Sequence, residues 1–160
     1  MPTQMNKRAG HDLHIIREFG ASRQTIWRCW SEPELFKKWF CPLPWTVTSC
    51  ELALRAGGQM DIVMEGPNGE RVENLGMYLY VDPGIAMVFT DGYRAGFLPQ
   101  ADPFMTGYLL LESLPNGSTR MTWGAKHPTE EKMNQHLEMG FDAGWNAAAD
   151  QLGALSSAIY

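Results

Sequence analysis

The residues able to do chemistry are few and scattered. Of the four histidines, His136 stands in a helical pattern, close to Gln135 and Glu138. An unperturbed imidazole titrates near neutrality, so a histidine facing a cavity could serve as general acid or base. His136 lies about 100° around the helix from Leu137, however, and a solvated place at a rim is the expectation. Glu138 and Asp142 are like charges spaced i, i+4 with no lysine between them, which reads as a solvated helix face. Cys29, Cys41 and Cys50 form an odd set without CxxC spacing. They read as reduced thiols rather than a disulfide framework or a zinc site. No metal and no cofactor is expected, because no ligand cluster has usable spacing. Gly57-Gly58 and Gly66-Pro67-Asn68-Gly69 precede no helix and are followed by no Gly-Lys-Ser/Thr, so they are turn glycines rather than phosphate cradles. No GxSxG elbow occurs, and no catalytic residue is assigned.

The more telling feature is bulk. The 160 residues include ten methionines and six tryptophans. Trp30, Trp39, Trp45, Met60, Met64 and Tyr78 could point inward, and so could Phe89, Phe104, Tyr108, Trp123, Met133, Phe141 and Trp145. Flexible methionines and flat rings line adaptable pockets for apolar or planar ligands. The same side chains also fill the cores of small domains.

Composition sets the frame for these residues. Hydrophobic residues make up 44% and charged residues 19%, which argues against disorder. A net charge of -5 disfavours a nucleic-acid surface, and no apolar run approaches the roughly 20 residues of a membrane span. The N-terminus has no apolar signal core, so a cytoplasmic protein is expected. Residues 1–10 are polar and read as a flexible segment, leaving 11–160 as one domain.

Residues 11–19 read as a strand. Ser22 caps a helix over 23–30, and Ser31 caps a second over 33–39, which the prolines at 42 and 44 end. Residues 47–54, 59–65, 71–81, 85–90, 104–114 and 118–125 read as strands, separated by turn sequences such as Pro115-Asn116-Gly117. The connection over 91–103 is longer than a hairpin needs and reads as an irregular lid or binding loop. From Pro128 a single long amphipathic C-terminal helix is expected, with Met133, Leu137, Gly140, Phe141, Gly144, Ala148, Leu152 and Leu155 on one face.

This order of elements, with several local motifs, resembles the SRPBCC (START-like, helix-grip) superfamily. Within it, the chain is most similar to bacterial single-domain proteins related to the C-terminal domain of the activator of Hsp90 ATPase. The resemblance rests on Arg17-Glu18-Phe19, Ser31-Glu32-Pro33-Glu34-Leu35-Phe36-Lys37-Lys38-Trp39, Glu51-Leu52-Ala53-Leu54-Arg55-Ala56-Gly57-Gly58, Gly76-Met77-Tyr78, Met87-Val88-Phe89-Thr90, Gly117-Ser118-Thr119-Arg120-Met121-Thr122 and Gly144-Trp145. It implies an α+β helix-grip (Bet v 1-like) fold. A curved antiparallel sheet of about seven strands would wrap a long C-terminal helix and enclose an apolar cavity, with two short helices after the first strand.

The resemblance implies an apolar or aromatic small molecule as partner. Its alternatives are a cyclase or dehydratase using Tyr108 or His136 for proton transfer, and a co-chaperone or interaction module. Hsp90 itself is not expected as a partner, since its eukaryotic activators carry a further N-terminal domain for which this chain has no room. A homodimer is expected from Val63, Leu75, Met77 and Leu79, read as solvent-side, together with the 91–103 loop. Gly140 and Gly144 are expected to form a bare strip along one cavity wall, with Trp145 beside it and Trp123 opposite. Alanine at either glycine should then add up to about 1 kcal/mol of helix stability.

Overall fold

Strand β1 (Asp12–Phe19) is followed by helices α1 (Arg23–Ser31) and α2 (Pro33–Phe36), then by β2 (Thr46–Leu52), β3 (Gln59–Glu65), β4 (Arg71–Asp82) and β5 (Ala86–Thr90). A two-stranded ribbon, β6 (Tyr93–Arg94) and β7 (Leu98–Pro99), precedes β8 (Thr106–Ser113) and β9 (Thr119–Lys126). Helices α3 (Glu130–Glu138) and α4 (Phe141–Ala158) close the chain. The structure, a computed structural model, describes residues 10–159. The expected N-terminal segment, Gly10 apart, lies outside the described residues.

The main sheet has seven strands in the order β1-β9-β8-β5-β4-β3-β2, all antiparallel. Its register lays matched rows across the concave face. One row runs Ile15, Trp123, Leu109, Met87, each buried. The next runs Leu13, Ala125, Gly107, Phe89, Tyr78 and is small in the middle. A Cβ at Gly107 would collide with the Phe89 ring, so the bare backbone there is what lets Phe89 lie across the sheet. Local chemistry explains the short helices. Ser22 accepts from the Thr25 amide at the start of α1, and Pro33 occupies the first turn of α2.

Four expectations need correction. Helix α2 stops at Phe36 and passes into turns before Trp39; Ser31 ends α1, so Glu32 takes the N-cap of α2 with no side-chain bond. The C-terminal helix is two helices. Gly140, at φ 93 and ψ 38, ends α3 in the left-handed conformation and opens α4. The 91–103 connection carries the β6–β7 ribbon and folds back on β4. There the Phe97 amide donates to Met77 Sδ at 3.2 Å and the Gln100 side chain donates to the Leu75 carbonyl at 2.8 Å. Met77, expected on the solvent side, is therefore fully buried, while Val63, Leu75 and Leu79 are half-buried.

Candidate ligand cavity

Between the sheet and α4 lies a cavity of about 630 Å³. Its sheet wall comes from β3 and β4, where alternation sends Met60, Ile62 and Met64, and opposite them Val72, Asn74 and Gly76, to the same side. Phe89 and Trp123 extend that wall across β5 and β9. The helix wall is Gly140, Phe141, Gly144, Trp145 and Ala148, successive positions on one face of α4. Phe40, Cys41, Pro42 and Trp45 close a third side. Val72 and Met139, 40% and 68% exposed, mark its mouth.

The loop forming that third side is held by one side chain. Gln151 of α4 donates to the carbonyls of Trp39 and Cys41, each at 2.9 Å, and accepts from the Leu43 amide at 3.0 Å. The segment 104–105 is fixed in the same manner by Asp91, whose carboxylate accepts from the amides of Phe104 and Met105 at 2.9–3.1 Å. Both anchors tie backbone groups that would otherwise lack partners, so the walls are positioned by hydrogen bonds and not by packing alone.

Of the residues singled out in the sequence, Trp45, Met60, Met64, Phe89, Phe104 and Trp123 line the cavity, as do His136, Gly140, Phe141, Gly144 and Trp145. The others lie elsewhere. Trp30 and Trp39 are fully buried in an aromatic cluster with Phe36, where the Trp39 indole donates to the Cys29 carbonyl at 2.9 Å. Tyr78 is sealed in the core, where burial raises its phenol pKa. Met133 is buried on α3 away from the cavity. Tyr108 projects from the opposite side of β8 from buried Leu109 and Leu111. Its hydroxyl is bound to Asp12 at 2.8 Å, and burial and that carboxylate raise its pKa. It cannot transfer protons to a ligand in the cavity. Trp123 does not oppose Trp145 but stacks on it, centroids 4.2 Å apart.

His136 is 7% exposed, against the expectation of a solvated rim. Its Nδ1 lies 2.8 Å from Nε2 of His127, whose Nδ1 in turn lies 2.8 Å from the His11 carbonyl. The rings of Phe104, Phe141 and Trp145 surround it at centroid distances of 5.0–5.6 Å. Burial first, and then the neighbouring His127, lower the His136 pKa to about 4; burial also lowers that of His127. Both rings are therefore neutral at pH 7. Among the described residues no third His, Cys, Asp or Glu joins them in a metal-binding group, so the pair reads as a hydrogen-bond relay. The sequence reading did not single out His127, which sits just beyond β9 and ahead of Pro128.

The remaining polar lining is modest. Cys41 is a buried thiol whose pKa burial raises to about 11, so it stays protonated. Among the described residues no lysine or arginine lines the cavity. The arrangement can enclose a neutral, largely apolar molecule and offer it flat rings and one unprotonated imidazole.

Comparison with known proteins agrees with this architecture. Residues 20–157 match the family model described as Activator of Hsp90 ATPase homolog 1-like protein. The chain is similar to a structure from Nitrosomonas europaea, with 35% identity and a TM-score of 0.90 over 94% of this chain and 97% of that one. A Mycobacterium smegmatis protein aligns at 30% identity and a TM-score of 0.74, covering 93% and 92% of the two chains. An AHSA1 protein from Silicibacter pomeroyi shares the fold at 20% identity, with a TM-score of 0.71 over 92% and 98%. No curated protein matches. Among the described residues no helix is long and apolar enough to cross a membrane.

Proposed function

The chain belongs to the Activator of Hsp90 ATPase homolog 1-like family and has its helix-grip fold, and from that footing we propose that it binds a flat, largely apolar small molecule between the sheet and α4. The observation that carries this reading is the cavity of about 630 Å³ and the side chains around it. That volume falls within the range of small-molecule sites. Phe89, Phe141, Trp123 and Trp145 supply rigid flat surface, while Met60 and Met64 supply adaptable surface. A plain packed core would have no such space, because interiors close to crystal density. Binding, not turnover, is the proposed activity.

Hsp90 stimulation, for which the family is named, plays no part in this reading. Adding the chain to Hsp90 should leave ATPase turnover unchanged. The direct test is native mass spectrometry of protein purified without detergent. A small non-covalent adduct that is lost on denaturation is expected. Bare protein that also gains no thermal stability from any of a panel of flat apolar compounds would overturn the reading.

A further inference from the structure

The His11 carbonyl is an acceptor only, so the nitrogen 2.8 Å from it, His127 Nδ1, must carry a proton. A neutral His127 then has a bare Nε2, which can only accept. The proton shared with His136, 2.8 Å away, therefore sits on His136 Nδ1. One step further along, His136 Nε2 is left unprotonated. That nitrogen has no hydrogen-bond partner among the described residues, yet it is not among the sealed polar atoms, and His136 lines the cavity. The backbone at His11 thus fixes, through two imidazoles, an unprotonated ring nitrogen open to a largely apolar cavity, whose other polar side chains are Cys41, Asn74, Thr90 and Asp91.

We propose that the ligand carries a neutral hydroxyl donor, a phenol or an enol, that binds His136 Nε2, with His127 acting as the positioning residue that holds the tautomer. This deepens the cavity reading and rests on it. The chemistry of the walls narrows the class. An anion would find no lysine or arginine among the described residues of the lining and would set its charge against the Asp91 carboxylate. A cation would need that carboxylate, which is engaged by the Phe104 and Met105 amides. A purely apolar ligand would bury the imidazole nitrogen without a partner, and an unsatisfied polar group is what makes a site reject the analogue lacking the donor. Aromatic rings border His136 on three sides, which favours a hydroxyl carried on a flat ring or conjugated system.

The test pairs 2-naphthol, a donor, with 2-methoxynaphthalene, which has nearly the same shape and no donor. Wild-type protein should bind the naphthol more tightly, by about tenfold. The quantity read is the ratio of the two affinities within each variant. His136→Phe should bring it close to one, and His127→Phe should shrink it by freeing the His136 tautomer. A readout that needs no variant is the two-bond 1H–15N spectrum of the wild type, which should show His136 protonated at Nδ1 and bare at Nε2. Equal affinities in the wild type, or an Nε2–H tautomer, would overturn the hydroxyl assignment while leaving the cavity reading in place. Saturable binding of neither compound would overturn both.

Discussion

Trp123 of β9 and Trp145 of α4 stack with centroids 4.2 Å apart and 23° between their planes. Phe141 lies against the same Trp145 at 4.5 Å, and Trp30 meets Trp123 edge-on at 5.2 Å. A continuous run of ring contacts therefore leads from Trp30 of α1 by way of Trp123 to α4, and its Trp123, Phe141 and Trp145 rings line the cavity. The Trp123 indole N–H is buried with no partner among the described residues, which costs about 1–3 kcal/mol. Burial of the ring, with about 0.5–1.5 kcal/mol more per aromatic pair, offsets that cost. Because three of the six tryptophans, Trp45, Trp123 and Trp145, line the cavity, occupancy should register in the intrinsic emission.

The two glycines of the helix wall should respond to alanine with opposite signs. A Cβ at Gly144 would meet only Pro42 Cγ, at 4.0 Å, so Gly144→Ala gains helix propensity and should stabilise by up to about 1 kcal/mol. Gly140 also has room for a methyl group, but its φ of 93 is a left-handed conformation that side chains rarely adopt. Gly140→Ala should therefore destabilise by about 1–2 kcal/mol, against the expectation from a continuous helix. Urea titrations of the two variants check both signs. Destabilisation by Gly144→Ala would mean that the helix abuts the sheet.

Acid should weaken the fold through the imidazole pair. The folded pKa of His136, about 4, lies below the unfolded value near 6.5, so the unfolded chain binds the proton first. The stabilising contribution is complete above pH 6.5 and is lost as pH falls towards 4. The groups that face His136 are His127 and three apolar rings, with Asp12 acting only on His127, so no facing carboxylate would favour the imidazolium. Between pH 7 and pH 5 the loss from His136 should be about 2 kcal/mol. His136→Phe should show a markedly smaller change in urea midpoint over that interval, and an equal change would refute the assignment.

Gln151 should matter more than its place on a helix surface suggests. Gln151→Leu leaves two carbonyls and one amide of the 39–43 segment without their partner. A cost of about 1–3 kcal/mol is expected. Faster hydrogen exchange at the Leu43 amide should accompany it, since that amide's bond is to the side chain being removed. Unchanged exchange there would show the loop to be held by packing.

The sheet strands were legible because turn sequences punctuate them and alternation is clear, as in Met60, Ile62 and Met64. Alternation failed where both faces are apolar. On β8, Tyr108 and Leu110 alternate with Leu109 and Leu111, so the outward side of Tyr108 could not be told. Met77 was misplaced for a related reason, since its cover comes from a ribbon some twenty residues further along the chain. The break at Gly140 had a signal, a glycine just past a turn containing His136, but the apolar stripe runs through it from Leu137 to Phe141 and hid it. His136 read as a rim residue because its partner, His127, meets it only after the chain turns through Pro128 and Thr129 into α3.

If the space between sheet and α4 is an open binding site, it should take up N-phenyl-1-naphthylamine in a titration. Wild-type protein should bind this neutral fluorescent probe saturably, at about micromolar level, with quenching of tryptophan emission. Gly144→Leu, whose side chain would enter the cavity from α4, should fold and yet lose that binding. Folded wild-type protein with no saturable probe binding, or a leucine variant that binds as well as wild type, would contradict the account.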